Sequence, residues 1–130
     1  MTDGDDSRIT VYGATGYTGG LVCEELARRG RDLVAAGRSL ERLQKLSARI
    51  GDAHSCVPTL RSASVDDAAS LDEMLRDTDV LINCAGPFID LGPPVARAAL
   101  RNDVHYLDTT GEQDYLRWMH DEIADEAVER

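Results

Sequence analysis

Gly13, Gly16 and Gly19 stand at spacings of three and three between two different kinds of sequence. Before them runs Ile9–Tyr12 (ITVY), a β-branched and aromatic stretch that reads as a buried strand. After them, over Thr18–Arg29, Leu21, Val22, Leu26 and Ala27 recur at helical spacing, and Gly30 follows as a helix-ending glycine. A strand that turns this tightly into a helix needs residues without a Cβ. Gly13 permits the turn, Gly16 leaves the backbone open to close approach, and Gly19 lets the helix lie against the strand. Few folds use such a unit, and those that do repeat strand and helix around a parallel sheet.

The rest of the chain repeats the pattern. Leu33–Ala36 (LVAA) predicts a second strand, and Ser39 caps a helix carrying Leu40, Leu43, Leu46 and Ile50 that Gly51 should end. Asp52–Pro58 is then a connection. Arg61–Val65 is a weaker third strand, and Ser70 with Glu73 forms a capping box at the start of a third helix. Val80–Asn83 (VLIN) is a fourth strand. Pro93 and Pro94 suit the first turn of a helix through Val95–Leu100. His105–Leu107 is a fifth strand, and Gln113–Glu129 one long acidic helix. Near-continuous apolar strands alternating with helices predict an α/β fold. The expectation is a doubly wound parallel sheet in the order 3-2-1-4-5, helices on both faces and right-handed crossovers. Residues 1–7 read as a disordered acidic tail and residues 8–130 as one domain.

In this fold ligands bind beyond the carboxyl ends of the strands. Amides at the start of the first helix attract a pyrophosphate through their free N–H groups and the helix dipole, so Gly13, Ala14, Thr15, Gly16, Tyr17 and Thr18 are candidate dinucleotide contacts. The second strand ends in Ala36-Gly37-Arg38-Ser39. An acidic residue there would hold an unphosphorylated ribose. Instead Arg38 offers a forked guanidinium and Ser39 a hydroxyl, which predicts NADP(H) over NAD(H). Asp32 has nearly the spacing of the missing acid but precedes the strand, at the wrong end. After the third strand, Asp66 is a candidate acceptor for the adenine amino group with Val65 beside it, or equally a helix-start acid. After the fourth, Asn83, Cys84, Ala85 and Gly86 are small enough for a nicotinamide ribose to approach, with Pro87 and Phe88 beyond.

Gly13–Gly19 (GATGYTG), Ala36–Ser39 (AGRS), Asn83–Phe88 (NCAGPF) and Tyr106–Glu112 (YLDTTGE) together resemble the N-terminal NADP-binding region of the saccharopine dehydrogenase-like family, from Arg8 to about Glu129. That family includes saccharopine reductases and trans-acting enoyl reductases. The resemblance implies a Rossmann domain of an oxidoreductase, with Arg38 and Ser39 meeting the 2′-phosphate and Asn83 to Pro87 lining the nicotinamide side. It places Tyr106–Glu112 at the edge of a substrate cleft, although Asp108 and Thr109 equally suit capping the next helix. No residue is assigned a catalytic role. Family members are several hundred residues long, so the substrate-binding and dimerisation part is expected to be absent from these 130 residues. The domain alone should bind cofactor without turnover, its small-molecule substrate being held mainly by that missing region. A non-catalytic NADP(H)-sensing regulatory domain is the alternative. The first turn also resembles short-chain dehydrogenases. Their Tyr-x-x-x-Lys pair is excluded, because Lys45 is the single lysine and Glu41 stands four residues before it.

Charge bears on the remaining classes. The formal net charge is −10, with 24 acids against 14 bases. So acidic a chain is unsuited to nucleic acid or an anionic membrane surface. Sixteen of the acids are Asp and thirteen of the bases Arg, a balance that predicts a halophilic surface. Cys23, Cys56 and Cys84 lack metal-binding or disulfide spacing, and His54, His105 and His120 are not spaced as ligands, so no metal is expected. Reduced thiols, no signal-like start and no long apolar run predict a cytoplasmic protein without a membrane span. Tyr115, Leu116 and Trp118 could form an exposed seam that supports a homodimer.

Overall fold

The computed structural model describes residues 6–130, so most of the expected tail, residues 1–5, lies outside the described residues. The elements run β1 (Arg8–Tyr12), α1 (Tyr17–Arg28), β2 (Asp32–Gly37), α2 (Leu40–His54), β3 (Thr59–Ser62), α3 (Ala68–Met74), β4 (Val80–Asn83), α4 (Phe88–Arg101), β5 (His105–Asp108), α5 (Gln113–Glu122) and α6 (Ala124–Glu129). All strand pairs are parallel and the order is β3-β2-β1-β4-β5, the doubly wound arrangement expected.

Two apolar layers follow from the period of two along each strand. Val11, Leu33 and Ala35 face α1 and α2, meeting Cys23, Ala27, Leu43, Leu46 and Ile50. Tyr12, Ala36 and Leu81 face the other way, against Leu71, Met74, Val95, Ala98 and Ala99 of α3 and α4. The register aligns Tyr12 with Ala36 and Asn83, and Asn83 with Asp108, so one row of strand ends forms the upper edge of the sheet. Between β1 and β4 the winding direction reverses.

Several local expectations need correction. α2 does not stop at Gly51 but continues to His54, where Ser55 adopts a left-handed conformation with φ 55° and donates its N–H to the Gly51 carbonyl. β3 lies two residues earlier than its apolar pattern implies, because pairing with β2 sets Val34 opposite Thr59. α3 is capped by Asp67, not Ser70. The Asp67 carboxylate accepts the Ser70 N–H at 3.2 Å, while the Ser70 hydroxyl turns back to the Ser64 and Asp67 carbonyls. Pro93 and Pro94 lie inside α4, which begins five residues before them. Their missing N–H groups leave the carbonyls of Ile89 and Asp90 without helical partners, and both of those residues are exposed to water. The single long terminal helix is two, broken at Ile123, whose side chain is buried. Tyr115 is also buried. It stacks on Trp118, which carries the Arg97 guanidinium on its ring, so only Leu116 of the expected seam is strongly exposed. No helix among the described residues is long and apolar enough to cross a membrane.

Candidate functional site

The turn after β1 is locked by close backbone approach. Gly13 has φ +78°, and a Cβ there would lie 2.8 Å from the Ala85 nitrogen, so the β1 and β4 turns pack directly on each other. A Cβ on Gly19 would fall 2.0 Å from the Gly13 carbonyl oxygen. Gly16 differs from both: its nearest neighbour would be 3.5 Å away, so the protein's own packing does not require a glycine there. Its bareness faces outward. α1 begins at this point with no side-chain cap and no acid in its first turn, so its first amides have no acceptor in the helix. An exposed, uncapped helix start behind a backbone-only cradle fits an anionic phosphate.

A cleft of about 930 Å³ opens over this start. Gly13, Thr15, Gly16, Arg38, Ser39, Asp66, Ala85 and Gly86 line it, together with Arg42, Val65 and Cys84. Four other candidates stand outside its wall. Ala14 is fully buried and Tyr17 is 85% exposed. Thr18 is exposed. Asn83 is buried beneath the floor, where its Oδ1 accepts the Ala85 N–H at 3.1 Å and its Nδ2 donates to the Tyr106 hydroxyl at 3.2 Å. Asn83 thus shapes the β4 turn from below.

Charge is distributed across the cleft. Arg38 has no carboxylate partner among the described residues, and its carbonyl accepts the Ser62 hydroxyl at 3.1 Å. Ser39 accepts the Arg42 N–H at 3.2 Å and so caps α2 as expected. Asp32 pairs with Arg8 at the opposite edge of the sheet. Because Asp67 takes the cap of α3, the Asp66 side chain stays free at the rim. Burial raises the Tyr12 hydroxyl, which lies close enough to Arg38 to be drawn down by its cation and to Asp66 to be pushed up by its anion. Arg42 was not anticipated. The signal was present, because a serine cap at 39 puts residue 42 on the same first turn.

At the β5 end, Tyr106–Glu112 is a brace. Asp108 accepts the Thr110 N–H, the Thr110 hydroxyl accepts the Glu112 N–H, and the Glu112 carboxylate accepts the Phe88 and Ile89 amides at 2.7 and 3.0 Å. Asp108 and Thr109 therefore do not cap α5, and Glu112 caps α4 from 24 residues away. The Tyr106 and Tyr115 hydroxyls meet at 2.7 Å. Burial pushes Tyr106 far above the ordinary phenol range and Tyr115 up to about 12, and it raises the Cys84 thiol. Among the described residues no group of three or more His, Cys, Asp or Glu is placed to hold a metal.

A doubly wound sheet whose reversal point carries a bare, glycine-cradled helix start beside an unpaired arginine defines a dinucleotide-binding domain. The chain belongs to the saccharopine dehydrogenase NADP binding domain family, which it matches over residues 9–129. A human protein named saccharopine dehydrogenase-like oxidoreductase is 35% identical over 142 residues, covering 92% of this chain and 32% of that protein. In Caenorhabditis elegans a lipid droplet localized protein is 32% identical over 130 residues, covering 94% and 30%. Among solved structures, the Citrobacter triphenylmethane reductase complexed with NADP(H) aligns with TM-score 0.62 and 27% identity, over 78% of this chain and 36% of that one. The chain thus spans about a third of the length of the relatives it matches.

Proposed function

We propose that this chain holds NADP(H) for an oxidoreductase of the saccharopine dehydrogenase-like kind. Amides of the Gly13–Gly19 turn take the pyrophosphate. Arg38 and Ser39 take the 2′-phosphate, Asp66 and Val65 the adenine, and Ala85 and Gly86 flank the nicotinamide ribose over the turn that Asn83 supports. One observation carries the reading: the uncapped start of α1 and the unpaired guanidinium of Arg38 open into one cleft. The cofactor would supply a hydride. This chain's residues bind and orient it, and another part of the protein supplies substrate contacts.

Calorimetry with NADP(H) and NAD(H) tests this. The expectation is preference for NADP(H), with Arg38→Ala weakening NADP(H) at least about tenfold, the value of one charged hydrogen bond, and sparing NAD(H). Equal affinity for both cofactors in parent and variant would sink it. A second reading, NADP(H) sensing without turnover, draws support from the raised Tyr106, Tyr115 and Cys84, none of which suits proton transfer near neutrality. NADPH oxidation by the whole protein with a carbonyl or enoyl substrate would exclude it. We further read the Asp-rich surface as an adaptation to salt: melting temperature should rise between low and multimolar KCl, and a flat series would refute this.

A further inference from the structure

The arginines of this chain differ in what they meet. Away from the cleft, Arg8, Arg28, Arg29, Arg76, Arg101 and Arg130 each pair with a carboxylate. Arg38, Arg42 and Arg49 have no carboxylate partner among the described residues. Elsewhere Arg61 donates to backbone carbonyls and Arg97 lies over the Trp118 ring, so what sets Arg38, Arg42 and Arg49 apart is that they line two adjoining hollows. Arg42 lines the dinucleotide cleft together with Arg38, and it also lines a smaller hollow of about 190 Å³ between the β1 turn and α2, shared with Thr15, Lys45 and Arg49. Lys45 is 4.0 Å from Glu41 and so is partly neutralised. Arg49 lies two turns farther along α2, near Gly20 of α1.

The position of Arg42 follows from its backbone. The Ser39 hydroxyl accepts its N–H, which makes it the third residue of the capped first turn of α2. Residues three and four apart share a helix face, so Arg42 rises beside Ser39. Arg38, just before the cap, is held by the Ser62 hydroxyl on its carbonyl. Two exposed arginines and one serine hydroxyl thus line the cleft together at the positive end of a helix, with Asp66 also on its wall. A phosphate dianion has acceptor oxygens enough for both forks.

We propose that Arg42 is a second specificity residue for the 2′-phosphate, which it grips opposite Arg38 across Ser39. This rests on the NADP(H) reading above and adds to it a residue and a geometry. The 2′-phosphate is absent from NAD(H), so a residue that contacts it discriminates between the cofactors. A residue acting only through the general field would weaken both.

The test measures binding of NADP+, NAD+ and adenosine 2′,5′-bisphosphate to the parent, Arg38→Ala, Arg42→Ala, Arg42→Lys and Arg49→Ala chains. Arg42 and Arg49 are exposed, and the cap uses only the Arg42 backbone, so melting temperatures should be unchanged. Arg42→Ala should weaken NADP+ and the bisphosphate about tenfold and NAD+ less than about twofold. Arg42→Lys, which keeps the charge and loses the fork, should fall between. Arg49→Ala removes the same charge two turns away and should leave the NADP+ to NAD+ ratio as in the parent. The proposal is overturned if Arg42→Ala matches the parent, if it weakens NADP+ and NAD+ equally, or if Arg49→Ala has the same effect. If Arg38→Ala is also silent, the assignment of the 2′-phosphate to this end of β2 fails with it. If only Arg42→Ala is silent, that assignment stands.

Discussion

α1 and α4 occupy equivalent places on opposite faces of the sheet, each starting just beyond the strand on one side of the reversal point. The turns that lead into them touch, since the Gly13 and Ala85 backbones meet there. Yet they are finished differently. α1 has no side-chain cap and opens into the cleft. α4 lacks a cap from its own first residues too, but the Glu112 carboxylate supplies both oxygens to the Phe88 and Ile89 amides. Each helix start is an anion site by geometry and dipole. One is filled from within and is structural, while the other has no side-chain cap and is the pyrophosphate site proposed above. The two helix ends differ in what the chain supplies to them: a carboxylate at α4 and no side-chain acceptor at α1.

Removing the bare start should have the largest effect. In Gly19→Ala the added methyl falls on a backbone carbonyl oxygen 2.0 Å away, and no side-chain rotation relieves that. α1 must shift away from the β1 turn. The expected cost is about 3 kcal/mol, the upper end for overpacking, with NADP(H) binding lost. Thermal melting and calorimetry read both, and a variant with parental stability and affinity would show that α1 is not held as closely as the backbone implies.

Removing the filled start should cost less and spare the cofactor. Glu112→Ala leaves the Phe88 and Ile89 amides without an acceptor and should destabilise by about 1–2 kcal/mol, as lost caps do. NADP(H) affinity of the folded variant should change little, because Glu112 does not line the cleft. A large loss of affinity without loss of stability would mean that α4, not α1, carries the anion.

The same contrast separates what was legible in the sequence from what was not. The α1 start was legible because every part of it is local. A strand, three glycines and a helix follow within twenty residues, and the Ser39 cap and the Gly30 stop are equally short-range. The α4 start was hidden because its cap comes from Glu112, 24 residues away in sequence. Without that carboxylate in view, the prolines were the better helix-start signal, and they misplaced it. Ser70 with Glu73 matched a capping box, and the Asp67 carboxylate that takes the cap instead was overlooked. Arg42 was missed for another reason: strand-end reasoning looks at residues just past β2, and this one lies a turn inside the next helix.

A smaller change tests the floor under the cleft. Tyr106→Phe removes the hydroxyl that joins Asn83 to Tyr115, leaving the Asn83 Nδ2 buried without its partner. The cost should be about 1–2 kcal/mol. The Ala85 turn, still held by the Asn83 Oδ1, should keep most of its affinity for NADP(H). If affinity falls as far as in Arg38→Ala, the floor positions the cofactor as strongly as the arginine does.

The smallest effect at neutral pH concerns the thiols behind the two starts. Cys23 of α1 is fully buried, and burial, with Cys84 of the β4 turn nearby, pushes its thiol up to about 12. Its ionised form is therefore disfavoured in the folded chain relative to an unfolded one, where it titrates near 9.0. The neutral thiol's contribution to stability is complete below pH 9 and is lost as pH rises from there toward 12. Below pH 9 the parent and Cys23→Ala should show parallel pH–stability curves. Above it the parent should fall more steeply. At pH 8, iodoacetamide should modify half-buried Cys56 well before Cys23, which waits on opening of α1. NADP(H) bound at the α1 start should slow that modification further. Protection of Cys23 by NADP(H), absent in Gly19→Ala, would tie the ligand to the helix the chain leaves open. Protection that persists in that variant would detach it.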